Sequence, residues 1–336
     1  MNISKITFVV PCYNEMEVLP EFYRRVVEVA CAHDEYEFEF VFVNDGSFDD
    51  TAELLNKFAD NDPKVKVLHF ARNQGHQAAI TAGMDFSSGD LIVTIDADLQ
   101  DPPELINEIL NKISQGYDLV HMQRRKRTGE TWFKLFTATW FYRLIKYMSD
   151  ARLVENSGDF RAFTRPVLKA MQGFREPHRY MRGLFALVGF NQAIIQYDRD
   201  SRFAGKTKYP FHKMLALAVN GILSFSATPL HAITWLSFSL WFISLIYFIK
   251  ALIDHFIFEI TVEGWTSIII LMTFYTGITI FCLSIIAAYI GRIFEQGQQR
   301  PLYWLHETRN IDWQQYDEGQ REIQLSNGII VSKKGS

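Results

Sequence analysis

The chain is predicted to fold as an α/β domain built on a parallel sheet, followed by two membrane-spanning helices. Two observations carry that expectation. Residues 1–213 mix charged and apolar groups as a globular domain does, and the first 120 alternate short apolar runs with amphipathic stretches, the pattern of strands joined by helical crossovers. Beyond them, no Asp, Glu, Lys or Arg occurs between Lys213 and Lys250, or between Glu263 and Arg292. At 336 residues there is room for one large domain and this apolar part.

Strands are expected at residues 6–10, 38–44, 65–70, 91–96 and 118–122, with helices at 18–32, 50–59, 77–86 and 103–114 between them. Open α/β sheets bind ligands just beyond the carboxyl ends of their strands. There the sequence places Pro11-Cys12-Tyr13-Asn14-Glu15, Asn44-Asp45-Gly46-Ser47 and Asp96-Ala97-Asp98.

Over residues 132–148 the period changes: Phe133, Phe136, Trp140, Phe141, Leu144, Ile145 and Met148 share one helical face, with Lys134, Arg143 and Lys146 off it. Such a helix either packs on its own domain or lies in a membrane interface, and its aromatic face and basic flanks favour the interface. The domain is therefore read as residues 1–208, this helix included. The uncharged run 214–249 would be about 54 Å long as a helix, far beyond a bilayer core of about 30 Å. Pro229 divides it, so a second interfacial helix is expected at 209–225 and a first span at about 233–253. Residues 265–290 supply a second, tilted span, which closes a membrane region at 231–290.

Orientation follows from the loops. Residues 254–264 hold three acids and no Lys or Arg, whereas Arg202, Lys206, Lys208 and Lys213 precede the spans and Arg292 and Arg300 follow them. The α/β domain and both termini are thus expected on the cytoplasmic side, in a membrane taken to be a cell inner membrane. Residues 291–336 form a cytoplasmic tail, whose polar part after Pro301 either packs on the domain or is partly disordered. Cys12, Cys31 and Cys282 form an odd, widely spaced set without metal-ligand spacing, which fits a reducing compartment, and residues 1–11 lack the pattern of a cleavable signal peptide. A net charge of −4 leaves attraction to lipid or phosphate to local basic clusters, and no nucleic-acid partner is expected.

Asp96-Ala97-Asp98 ends an apolar strand-like run, and alternate residues there can set two carboxylates around one hard cation, Mg2+ or Mn2+, bridging a pyrophosphate. Gln100 adds an oxygen, and Pro102-Pro103 starts a helix. Gly205-Lys206-Thr207 is no phosphate loop, because the required first glycine is Asp200. No Gly-x-Gly pair occurs, so a dinucleotide fingerprint is missing as well.

The three segments at the strand ends, the last continuing as Leu99-Gln100-Asp101-Pro102-Pro103-Glu104, resemble the signatures of family 2 glycosyltransferases with the GT-A (Rossmann-like) fold. The resemblance is strongest to the dolichyl-phosphate mannose synthase and bactoprenol glucosyltransferase group. Gly158-Asp159-Phe160-Arg161, Arg182-Gly183-Leu184-Phe185 and residues 202–209 extend it to the bactoprenol branch, and it spans about residues 5–292. Gln123 before Arg124, where a smaller or apolar residue is expected, departs from the pattern.

The resemblance implies an inverting hexosyltransferase that takes glucose from UDP-glucose to polyprenyl (undecaprenyl) phosphate. It implies that Pro11, Tyr13, Glu15 and Asp45 line the nucleotide pocket, with Asp45 accepting from the base. Asp96 would sit near the ribose and the metal, and Asp98 and Gln100 would hold the metal on the diphosphate. Asp159 would project into the site, as a general base or, because a phosphate acceptor is already largely ionised, as an orienting group. The basic clusters before the two amphipathic stretches lie between domain and membrane. Arg124, Arg127, Arg202 and Lys208 are thereby read as a clamp for the lipid phosphate, against general attraction to anionic lipid as the simpler use. A processive polysaccharide synthase would need a Gln-x-x-Arg-Trp motif and more spans, and an inactive scaffold would have lost Asp98 or Asp45. A homo-oligomer, a tetramer by the resemblance, is expected because two spans give little packing of their own.

Overall fold

A computed structural model describes residues 3–125, 154, 157–177, 179–198, 228–257 and 264–311. The chain divides into an α/β unit, which the segment from Arg300 rejoins, and a separate unit of apolar helices. The expected interfacial helices at 132–148 and 209–225 lie outside the described residues.

The α/β unit follows the predicted alternation: β1 (Lys5–Cys12), α1 (Leu19–Cys31), β2 (Glu37–Asn44), α2 (Thr51–Asn61), β3 (Val65–Phe70), α3 (His76–Asp85), β4 (Leu91–Thr94), α4 (Ile106–Ser114) and β5 (Leu119–Arg124). Three further strands, β6 (Ser157–Thr164), β7 (Gln192–Tyr197) and β8 (Leu305–Arg309), and two short helices, α5 (Arg165–Gln172) and α6 (Met181–Leu187), complete it. The sheet order is β7-β5-β6-β4-β1-β2-β3-β8.

The parallel arrangement expected of the first 120 residues holds for β1 to β5, while the later strands make the whole sheet mixed. β1, β2, β3 and β4 are parallel, but β6 runs antiparallel between β4 and β5, and β8 runs antiparallel along β3. The sheet is mixed because strand β6 enters from the far side and the tail of the chain returns to an edge.

Both faces of the sheet are covered, which is why its inner strands are nearly continuous apolar runs. On one face Phe8, Phe40 and Phe42 pack with Leu19, Phe22 and Val26 of α1 and with Ile106 and Ile109 of α4. On the other, Val41, Val43, Leu68 and Phe70 meet Ala79, Ala82 and Phe86, together with Tyr303 and Leu305 from the tail. The carboxyl ends of β1, β2 and β4 then emerge along one rim, carrying the three motifs.

In the second unit α7 (Thr228–Phe256) and α8 (Trp265–Gly297) are 29 and 33 residues long, about 44 and 50 Å at 1.5 Å per residue. Each contains a stretch long and apolar enough to cross a membrane, Pro229–Tyr247 and Leu271–Gly297. Trp235, Trp241, Phe242, Phe274 and Phe281 are exposed, an arrangement that lipid stabilises and water does not. Ser244 donates a hydrogen bond to the Tyr275 hydroxyl at 2.8 Å, tying one helix to the other.

Candidate active site

The turn after β2 is pinned by a chain of side chains. The Asn44 amide donates to His69 Nδ1 at 3.1 Å, His69 Nε2 donates to Asn56 Oδ1 at 3.0 Å, and Asn44 Oδ1 accepts the Ser47 N–H at 3.1 Å. Burial pushes His69 down to about 4, so the ring is neutral and fills both roles. Gly46 has φ +64°, and a Cβ there would come within 2.6 Å of the Arg72 and Asn73 backbone, so only glycine fits this close approach. The β1 loop is stapled to the same turn: Asn14 N–H donates to Ser47 Oγ, and Phe48 N–H donates to Asn14 Oδ1.

Asp45 is buried, and its backbone N–H donates to the Cys12 carbonyl. Its carboxylate accepts the Gln74 N–H at 2.6 Å and the Gly75 N–H at 2.9 and 3.2 Å. Burial raises its pKa, and those two N–H groups work against the rise. Pro11 is buried at the end of β1, Glu15 is half-buried, and Tyr13 is exposed with its ring edge-on to Phe48. A cavity of about 380 Å³ adjoins this turn, bounded by Asn44, Ser47, Asn56, His69, Arg72 and Glu307.

The acids after β4 form the centre. Ile95 N–H still donates to the Val9 carbonyl, so the chain leaves the sheet at Asp96. Leu99 then takes φ +59°, a left-handed conformation costly for a side chain with Cβ, and the turn it makes lets Asp98 Oδ1 accept the Gln100 N–H at 3.1 Å. Asp159 arrives from β6, where Thr94 Oγ1 donates to its carbonyl at 2.6 Å. His76 Nε2 lies 3.5 Å from Asp96 Oδ1 and 3.3 Å from Asp159 Oδ2, and Arg182 Nε donates to Asp159 Oδ1 at 3.3 Å.

These contacts separate the two acids electrostatically. Burial raises Asp96 to about 6, only partly opposed by His76. Burial would raise Asp159 as well, but the His76 hydrogen bond and the charges of Arg182 and Arg161 outweigh it and hold its carboxyl far below the usual carboxylate range. Burial alone would lower His76; the hydrogen bond to Asp159 and the charges of Asp96 and Asp159 instead raise it to about 9. At neutral pH the cluster thus contains an imidazolium between two acids, one of them permanently ionised.

The sequence matches the Glycosyl transferase family 2 profile over residues 7–171. It is 43% identical over 306 residues to a protein named "Uncharacterized glycosyltransferase YkcC" from Bacillus subtilis (strain 168), covering 91% of this chain and 94% of that one. The chain belongs to glycosyl transferase family 2. The "Bactoprenol glucosyl transferase" of Shigella phage SfV is 38% identical over 299 residues, 89% of this glycosyltransferase and 97% of that protein. The "Prophage bactoprenol glucosyl transferase homolog" of Escherichia coli (strain K12) matches with the same identity and the same coverage of both chains.

One rim of the sheet of this glycosyltransferase carries the expected residues Pro11, Tyr13, Glu15, Asp45, Asp96, Asp98, Gln100 and Asp159. Among the described residues no group of three or more His, Cys, Asp or Glu forms a metal cage. Asp98 and Gln100 nonetheless fit a hard cation in kind: both are oxygen donors, and the left-handed Leu99 sets them on one tight turn. Arg124 points inward at the end of β5, with Nε donating to the Tyr197 hydroxyl at 3.2 Å and Nη2 3.4 Å from buried Asp101, to which Tyr197 also donates. Arg127, Arg202 and Lys208 lie outside the described residues.

Sequence reasoning missed His76 as a site residue and used Arg182 only as part of a motif. The signal for His76 was its position as the first residue of α3, directly after Gly75, whose φ of +96° turns the chain into the helix. Its importance shows only when β6 is placed next to β4.

Proposed function

We propose that this glycosyltransferase moves glucose from UDP-glucose to polyprenyl phosphate at the cytoplasmic face of a membrane, inverting the anomeric centre. The support is the pairing of two facts: relatives named bactoprenol glucosyl transferase align along nine-tenths of the chain, and Asp159 is ion-paired on both oxygens. An acid so strongly held as a carboxylate is a poor proton acceptor, and an acceptor that is already an anion needs none. A phosphate monoester with a second pKa of about 6 is largely dianionic at pH 7. Its oxygen forms the bond to the anomeric carbon as the bond from that carbon to the diphosphate oxygen breaks, and UDP leaves with the electron pair.

In this mechanism Tyr13, Pro11 and Glu15 border the nucleoside, and Asp45, with lone pairs left beyond its two backbone donors, accepts from the base. Asp159, fixed by His76 and Arg182, orients the donor sugar. Asp98 and Gln100 would hold a Mg2+ or Mn2+ ion on the diphosphate, where it would offset the charge gathering on UDP. Arg202 and Lys208, with Arg124 and Arg127, grip the lipid phosphate. The apolar helices anchor the enzyme with both termini in the cytoplasm, and the assembly is a homotetramer.

The test is transfer by the full-length enzyme in lipid discs, given polyprenyl phosphate and a panel of radiolabelled nucleotide sugars. Label from UDP-glucose should pass into the lipid phase. Label entering from another sugar, or lengthening into a polymer, would sink the assignment. Arg202→Ala and Lys208→Ala should each cut lipid-dependent transfer while UDP-glucose binding without acceptor stays intact, and equal loss of donor binding would remove the clamp.

A further inference from the structure

Gln74 joins two parts of the chain that are more than two hundred residues apart. Its side-chain amide donates to the Trp304 carbonyl at 3.1 Å and its side-chain oxygen accepts the Trp304 N–H at 3.0 Å, a reciprocal pair that imitates one step of a β-ladder. The same Trp304 carbonyl accepts the Ala71 N–H at 3.0 Å. On its other side Gln74 gives its own backbone N–H to Asp45, as Gly75 does, and the Asn73 amide donates to the Asp45 carbonyl at 3.2 Å. Residues 71–75 are therefore suspended between Asp45 and Trp304.

The tail is firmly seated at that point. Tyr303 is fully buried, stacks on Phe70 with ring centroids 5.7 Å apart, and donates to Asp85 Oδ2 at 2.9 Å. Arg175 grips both oxygens of the same Asp85 at 2.8 and 2.9 Å. Leu305 then pairs with Phe70 and starts β8. Beyond the strand, Asn310 donates to the Ala59 and Val65 carbonyls at 2.7 and 2.9 Å, at the end of the sheet away from the motifs.

We propose that the segment following α8 is a working part of the donor site, and that Gln74 is a positioning residue which, braced on the Trp304 backbone, holds the Gln74 and Gly75 N–H groups against Asp45. Without the brace, the loop gains freedom to rotate those N–H groups away, and Asp45 loses the orientation in which its remaining lone pairs meet the nucleobase. The inference rests on the assignment of Asp45 to the base of the donor. It predicts an effect on donor affinity and not on the chemical step, because Gln74 touches none of the reacting atoms.

The experiment compares full-length wild type, Gln74→Leu, Asn310→Ala and Asp45→Asn in lipid discs, measuring UDP binding by titration calorimetry, the steady-state constants for UDP-glucose, and melting temperature. Gln74→Leu removes two hydrogen bonds at constant size and should weaken UDP binding and raise the donor KM about 10-fold, with kcat within about 2-fold of wild type. Asn310→Ala loosens the same tail at its far end and should lower the melting temperature while leaving UDP affinity unchanged. A donor KM unaltered in Gln74→Leu, or raised equally in Asn310→Ala, would overturn the inference, since Gln74 would then serve only the stability of the sheet edge. Asp45→Asn keeps the two causes of failure apart. If it binds UDP as wild type does, the assignment of Asp45 fails and the inference with it, whereas weak binding there beside normal binding in Gln74→Leu defeats the brace alone.

Discussion

Asp96 and Asp159 share one imidazole nitrogen, His76 Nε2. Asp96 follows β4, whose Thr94 pairs with Arg161 of β6, and Asp159 lies on β6 itself; His76 Nε2 is 3.5 Å from Asp96 Oδ1 and 3.3 Å from Asp159 Oδ2. Besides burial, the negative charge of Asp159 helps to raise Asp96. Here the imidazolium, Arg182 and buried Arg161 divide them unequally, leaving Asp159 ionised and Asp96 the more readily protonated.

Asp159→Asn should therefore slow transfer without abolishing it. Losing the carboxylate frees Arg182 and His76 and lets the sugar shift, an error of placement that costs about 100-fold in rate. UDP binding should be unchanged. A well-folded Asp159→Asn with normal donor and lipid binding but no detectable turnover would restore a general-base role.

His76 carries a signature in alkali. Its pKa is raised to about 9 in the folded protein against about 6.5 unfolded, so the stability it adds is fully present below pH 6.5 and is lost as pH rises through about 9. Melting temperature in lipid discs should fall between about pH 6.5 and 9 in the wild type and stay flatter in His76→Gln. Identical profiles would show that the imidazolium does not bridge the acids.

Acid should expose the opposite behaviour at two other histidines. Burial pushes both His69 and His121 down to about 4, so each is neutral when folded and takes up a proton near pH 6.5 when unfolded. The stability linked to their neutrality is intact above pH 6.5 and declines as pH falls toward 4, by up to about 1.4 kcal/mol per pH unit for each group. Chemical denaturation from pH 7 to 4.5 would measure this. The slope should be shallower in His69→Gln, and an unchanged slope would mean that His69 is protonated in the folded state.

Removing divalent cations with a chelator should stop transfer, and added Mg2+ or Mn2+ should restore it. Asp98→Ala should reproduce the loss with the fold preserved, because the side chain's hydrogen bond to the Gln100 N–H is a local one within the turn. Full turnover in excess chelator would dismiss the cation.

The parallel half of the sheet was legible because β1 to β4 carry apolar runs and their carboxyl ends carry chemistry. The acids Asp45, Asp96 and Asp98 could be named as candidates for the same reason, whereas Asp159 on β6 was named only through the family resemblance. Strand β6 was harder to see, although Phe160 and Ala162 alternate with Asp159 and Arg161, since no turn signal ties it to β5 across the long intervening segment. β8, Leu-His-Glu-Thr-Arg, carries no apolar alternation at all, and its place comes from Tyr303 and Leu305 filling a gap on β3. His76 and Gln74 drew no attention for a related reason: each acts through a partner more than eighty residues away, and spacing along a chain says nothing about such partners.

Strand β8 also dictates an order of assembly. Synthesis proceeds from the N-terminus, so β1 to β7 leave the ribosome while the edge of β3 still lacks its neighbour, and Tyr303, Trp304 and Leu305 emerge only after both apolar helices have been made. The nascent enzyme thus completes its sheet only after both apolar helices have been made. Until then Gln74 has no Trp304 backbone to meet and Asp85 no Tyr303 hydroxyl. A chain that stalls or is cut before the tail appears would carry every acid of the candidate site beside an open strand edge, the kind of edge that pairs with other chains.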